Sequence, residues 1–173
     1  MVKYCELEEV LEIAFQKNEP PFLVILDGIE DPHNFGAILR TAEGAGVHGV
    51  IIRKMRQVQV TEVVTKVSTG ASEMVPIIRV ANIAETIRRL QGEEILVKGV
   101  EIVGSRLYNE ADYRGGTAIV VGSEGFGLSH LVKERCDELV RIPMKGKINS
   151  LNASVATGVV LYEVLRQRGS KQA

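Results

Sequence analysis

Short apolar runs alternate with stretches of helical spacing along nearly all of the 173 residues. Residues 6–16 place Leu7, Val10, Leu11 and Ala14 on one helical face, and Asn18-Glu19-Pro20-Pro21 ends that helix. Residues 22–26 read as a buried strand closing on Asp27-Gly28. Asp31-Pro32-His33-Asn34 then signals a helix start, and that helix runs to about Gly46. The same reading predicts strands over 47–52, 75–80, 94–100, 117–121 and 138–142, and helices over 60–67, 82–90, 128–136 and 150–168. Strands separated by helices rather than by hairpin turns predict an α/β fold with a mainly parallel sheet and helices on both faces. Residues 169–173 are expected to fray.

The length fits one domain with a sizeable core. No basic segment followed by an apolar stretch and a small-residue cleavage site opens the chain, and runs such as 22–26 and 118–121 are far too short to span a bilayer. A cytoplasmic location with no membrane association is the expectation. Cys5 and Cys136 are too few and too distant for a disulfide framework, and Cys136 falls on an apolar helical face. His33, His48 and His130 lack ligand spacing and read as capping or surface histidines, so no metal is expected. The formal charge of −1 argues against a strongly basic nucleic-acid binder. Two local clusters, Arg53/Lys54/Arg56 and Lys145/Lys147, are either solvated surface or phosphate contacts.

Three places combine small and polar residues where a strand hands over to a helix, the usual ligand position in open α/β sheets. The first contains Asn34 and Arg40. Asn34 either caps its helix or presents its amide to a site. Arg40 lies in a helix short of charge and is expected to be buried, where it must meet an anion. The second is Gly122-Ser123-Glu124-Gly125-Phe126-Gly127, either a plain tight turn or a ligand loop; its spacing fits neither a dinucleotide fingerprint nor a P-loop. The third puts Ser150, Asn152 and Ser154 at a helix start just after two lysines, a ready anion site. Along that last helix Val155, Val159 and Tyr162 share an apolar face wide enough to serve in part as a dimer interface. The residues by themselves indicate an α/β protein that binds an anionic ligand at its strand ends.

These segments resemble, in order, the three motifs of the SpoU (TrmH-like) family of RNA ribose 2′-O-methyltransferases in the SPOUT superfamily. They are 31–42, 121–128, and Ile142-Pro143-Met144 with 150–156. The similarity covers roughly 21–168, and Lys66-Val67-Ser68-Thr69-Gly70-Ala71 looks like the rRNA-modifying RlmB-type branch. The resemblance implies a C-terminal deep trefoil knot, a homodimer, and S-adenosylmethionine as cofactor. It places the adenosyl pocket at Gly122, Ile142 and Leu151, with Val121, Ser123, Gly125 and Met144 beside them. It assigns Arg40, Asn34, Glu124, Ser150 and Asn152 to the catalytic cluster. The implied substrate is ribosomal RNA, at a 23S-type guanosine, with transfer RNA as the alternative. Residues 1–20 are read as an extension or linker remnant, 21–169 as the catalytic domain and 170–173 as a tail. A binding-only RNA module and a nucleotide- or NAD-dependent α/β enzyme are the competing readings; the glycine spacing disfavours the second.

Overall fold

A computed structural model describes residues 2–54, 60–104, 106–123 and 127–169. Among the described residues seven strands form one sheet in the order β3-β2-β1-β6-β4-β7-β5. They are β1 (Phe22–Asp27), β2 (Gly49–Arg53), β3 (Ile77–Val80), β4 (Leu96–Val100), β5 (Arg106–Leu107), β6 (Thr117–Gly122) and β7 (Glu138–Arg141). Every neighbouring pair is parallel, so all strands end on the same edge of the sheet. Among the described residues six α-helices and one 3₁₀ turn (Ala71–Glu73) complete the order: α1 (Leu7–Gln16), α2 (Pro32–Ala45), α3 (Glu62–Val67), α4 (Ile83–Gly92), α5 (His130–Arg135) and α6 (Ala153–Gln167).

β1 shows why the runs are continuously apolar rather than alternating. Phe22, Val24 and Leu26 enter the core beneath α2, α3 and α6, while Leu23 and Ile25 enter the opposite core beneath α1, α4 and α5. α1 belongs to that second core, since Leu7, Val10 and Ala14 are buried. The chain ahead of it also touches the sheet, where Cys5 N–H donates to the Ile77 carbonyl at 3.0 Å.

Most predicted elements appear within a few residues of their expected limits. The last helix starts at Ala153 rather than at residue 150, because Asn152 is its cap and accepts from Ser154 N–H and Val155 N–H. At α2 the cap is Asp31, which accepts from His33 N–H with Pro32 following. Asn34 therefore lies inside the helix, and a capping role for it is excluded. β5 has no counterpart in the prediction: two residues give no apolar run, and pairing with β7 alone defines it.

His48 overturns the expectation of capping or surface histidines. It is 5% exposed; Nδ1 accepts Phe22 N–H at 2.9 Å and Nε2 bonds Glu19 Oε1 at 2.8 Å. An Nδ1 acceptor requires the neutral ring with its proton on Nε2. Burial holds the imidazole below its ordinary pKa, against the opposing pull of Glu19.

The C-terminal end of α6 is tied to distant backbone. Arg168 donates to the carbonyls of Tyr113, Pro20, Pro21 and Gly115, and Gln167 Nε2 donates to Ala111 O. Between β4 and β5 the chain crosses β7 so closely that a Cβ on Gly104 would stand 2.6 Å from the Val140 carbonyl carbon.

Candidate functional site

The shared edge where the strands end carries a cleft. β4 contributes Val100 and the adjoining Glu101 and Ile102; β6 contributes Val121 and Gly122, followed by Ser123 and Gly127. Ile142 and Met144 follow β7, and Asn149, Ser150 and Leu151 lead into α6. Six residues assigned to the adenosyl pocket from sequence (Val121, Gly122, Ser123, Ile142, Met144 and Leu151) thus line one cavity, together with Ser150 from the assigned catalytic group. Gly125 and Glu124, like Arg56 of the basic cluster, lie outside the described residues.

Glycine is required at the turn. A Cβ on Gly122 would collide with the Gly127 carbonyl and approach Leu128 N to 2.8 Å, and Gly127 has φ of 66°. Gly127 N–H closes the turn on Ser123 O at 2.9 Å. Two carboxylates then pin the chain that follows. Glu101 Oε2 accepts Leu128 N–H at 2.9 Å, and Asp27 Oδ2 accepts Ser129 N–H at 2.7 Å. Neither acid was legible as a site residue, since its partner is a backbone group far away in sequence.

At the start of α6, Asn152 Oδ1 is consumed by Ser154 N–H, Val155 N–H and Ser154 Oγ–H. Its amide N–H groups have no hydrogen-bond partner among the described residues and remain available as donors. Lys145 and Lys147 are exposed on the segment leading to this helix start.

Arg40 does not lie where its apolar neighbours implied. It is exposed, and among the described residues no hydrogen bond or ion pair engages its guanidinium. The reason is that α2 faces outward along the side where α6 also leaves Val155 (52% exposed) and Tyr162 (49%) uncovered. Arg40 lines a second hollow with Thr41, Gly44, Ser68, Thr69 and Tyr162, and that hollow shares no residue with the strand-end cleft. Tyr162 is ten residues beyond Asn152, or ~15 Å along the helix. Asn34 is half-buried on α2, about 9 Å along the axis from Arg40. A single chain therefore gathers the pocket residues and Ser150, and leaves Arg40 apart from them.

Comparison with known proteins shows the family. The family model for the SpoU rRNA Methylase family matches residues 21–162. The putative TrmH family tRNA/rRNA methyltransferase YacO of Bacillus subtilis is 47% identical over 166 residues, 96% of this chain and 67% of that protein. The 23S rRNA (guanosine-2′-O-)-methyltransferase RlmB of Coxiella burnetii is 51% identical over 167 residues, with the same shares of 96% and 67%. The crystal structure of the SpoU methyltransferase AviRb from Streptomyces viridochromogenes, in complex with AdoMet, superposes with a TM-score of 0.81 at 31% identity. That match covers 89% of this chain and 60% of AviRb, so the chain spans less than two thirds of that neighbour. By motifs, by the matched family model and by the superposed sheet, the chain belongs to the SpoU rRNA methylase family.

Proposed function

We propose that the chain is an S-adenosylmethionine-dependent RNA ribose 2′-O-methyltransferase acting on ribosomal RNA, with a 23S-type guanosine as target. The observation that carries this reading is the single cleft in which motif residues from β6, the segment after β7 and the start of α6 converge. Its lining fits the donor. Val121, Ile142, Met144 and Leu151 offer an apolar bed for an adenosyl group, with Gly122 and Ser123 lining the same cleft. When bound, S-adenosylmethionine supplies a methyl group activated by its sulfonium charge.

The chain's own task is to orient the ribose and manage one proton. The attacking 2′-oxygen forms the new bond to carbon as the sulfur bond breaks, and the hydroxyl proton leaves for phosphate or water. Arg40 is a poor base, because a guanidinium stays protonated in proteins. Its role is to hold the substrate phosphate and stabilise negative charge growing on the 2′-oxygen. Asn34 positions Arg40 or the ribose, and Glu124 orients that cluster. Ser150 and the free amide of Asn152 hold the donor or the RNA backbone, with Lys145 and Lys147 near enough in sequence to meet phosphates.

The proposed assembly is a homodimer joined through the outward faces of α2 and α6. The uncovered Val155 and Tyr162 support it, and so does Arg40: its distance from the cleft is resolved if the partner's Arg40 completes the site. A C-terminal trefoil knot is part of the same proposal. It is supported by the close crossing of Gly104 over β7 and by the ties from Gln167 and Arg168 to residues 111–115. We assign residues 21–169 to the catalytic domain and place its work in the cytoplasm.

The test is methyl transfer from labelled donor to ribosomal and transfer RNA isolated from cells lacking the gene, followed by mapping of 2′-O-methyl positions. A single modified ribose in ribosomal RNA is expected. Donor binding without transfer to either RNA would favour a binding module.

A further inference from the structure

We propose that Glu101 is a positioning residue whose carboxylate, neutralised by Lys133, sets the shape of the donor pocket by holding Leu128 and, through it, Gly127 in the pocket wall. This rests on the cleft being the donor site. Glu101 is the first residue after β4, and its side chain is 9% exposed. Both oxygens are committed: Oε2 accepts Leu128 N–H at 2.9 Å, and Oε1 lies 3.1 Å from Lys133 Nζ on α5. The carboxylate also lies directly against Gly127, leaving no room for a Cβ there. Glu101, Gly122, Ser123 and Gly127 all line the cleft. Leu128, directly after Gly127, is thus held from the end of β4 by Glu101, while Asp27 at the end of β1 holds the next residue, Ser129.

Fold stability alone gives weak reason for this arrangement. The Glu101 carboxylate is buried while Lys133 is partly exposed, and such a pair returns little more in attraction than the carboxylate costs to desolvate, so an apolar pair of similar volume would serve the core as well. An apolar pair would not accept Leu128 N–H, and Gly127 and Leu128 would then relax against the ligand space. The neighbouring lysine has a second consequence. With its charge already paired, Glu101 presents little field to a bound sulfonium, so its influence passes through geometry.

Geometry and charge make different predictions for two ligands that differ only in charge at sulfur. S-adenosylmethionine is a sulfonium; S-adenosylhomocysteine is the neutral thioether left after methyl transfer. Calorimetry on the full chain, with melting curves as a fold control, would compare wild type with Glu101→Leu, Glu101→Gln and Lys133→Met. Glu101→Leu is expected to weaken both ligands by the same factor, about ten- to a hundredfold. The kcat at saturating donor should stay within about threefold of wild type, because the reacting groups are untouched. Glu101→Gln keeps an acceptor for Leu128 N–H and should bind both ligands within about threefold of wild type. Lys133→Met, at a partly exposed position, should weaken both ligands in parallel by several-fold and carries the test if Glu101→Leu fails to fold. Loss confined to S-adenosylmethionine, without rescue by glutamine, would overturn the proposal in favour of direct charge attraction. Unchanged binding in all three variants would also overturn it. Failure of wild type to bind either ligand would instead sink the assignment of the cleft.

Discussion

Gly122→Ala is the substitution for which the structure gives the sharpest consequence. Gly122 ends β6, and its register with Asp27 of β1 holds it from one side. On the other side an added Cβ runs into the Gly127 carbonyl group, with Leu128 N at 2.8 Å. These are backbone atoms, so no side-chain rotation relieves the clash. Overpacking of this kind costs about 1–3 kcal/mol. The strand is anchored by the sheet, so the turn gives way, straining the hydrogen bonds of Leu128 and Ser129 to Glu101 and Asp27. Since Gly127 lines the cleft, the part of this energy needed to restore its position on binding appears as donor affinity weakened about fivefold for each kcal/mol. Melting temperature should fall by roughly 2–4 °C for each kcal/mol lost from the fold itself. Calorimetric titration with S-adenosylmethionine beside a melting curve reads both. Binding within twofold of wild type and an unshifted melt would refute the reasoning, because the clash would then have been absorbed without moving the turn.

Arg40→Ala should reduce methyl transfer by a hundredfold or more while leaving donor binding and melting unchanged, since Arg40 is exposed and outside the cleft. Arg40→Lys should recover little if the contact is a planar bidentate one, whereas a base role would tolerate lysine. Mixing Arg40→Ala with Gly122→Ala protomers should restore activity toward about a quarter of wild type if each site draws on two chains, measured after subunit exchange. His48 predicts a pH effect. Its folded-state pKa is lowered, so the neutral ring stabilises the fold fully above its unfolded pKa of about 6.5, and that stability declines as pH falls through this value toward the folded one. Denaturant midpoints from pH 7.5 to 5 should fall in wild type and fall less in His48→Gln. Arg168→Ala removes donors to four carbonyls and should lower the melting temperature by several degrees, read by calorimetry.

The sequence carried the alternation of strands and helices clearly, because each central strand is buried on both faces and must be apolar throughout. It also placed small and polar residues at strand ends, and such residues share one edge of a parallel sheet regardless of strand order. The order itself was not legible: β6 sits between β1 and β4, and β7 between β4 and β5, which no local pattern encodes. Glu101 and Asp27 escaped notice for a related reason. Each acts on a backbone N–H brought close only by that strand order. Arg40 was misjudged because an apolar helix surface was equated with burial, although α2 and α6 keep part of theirs exposed in one chain. His48 shows the opposite error. Nothing beside it in sequence announces that its ring caps the N–H of Phe22 and meets Glu19.

The account stands or falls on where the methyl donor sits. A crystal structure with S-adenosylmethionine bound should show the adenosyl group in the strand-end cleft, against the backbone of Gly122 and Ser123 and between Ile142 and Leu151. The methyl should point toward Asn152, with Arg40 of a second protomer close by. Donor bound beside Tyr162 in the outer hollow, with the cleft empty, would contradict it.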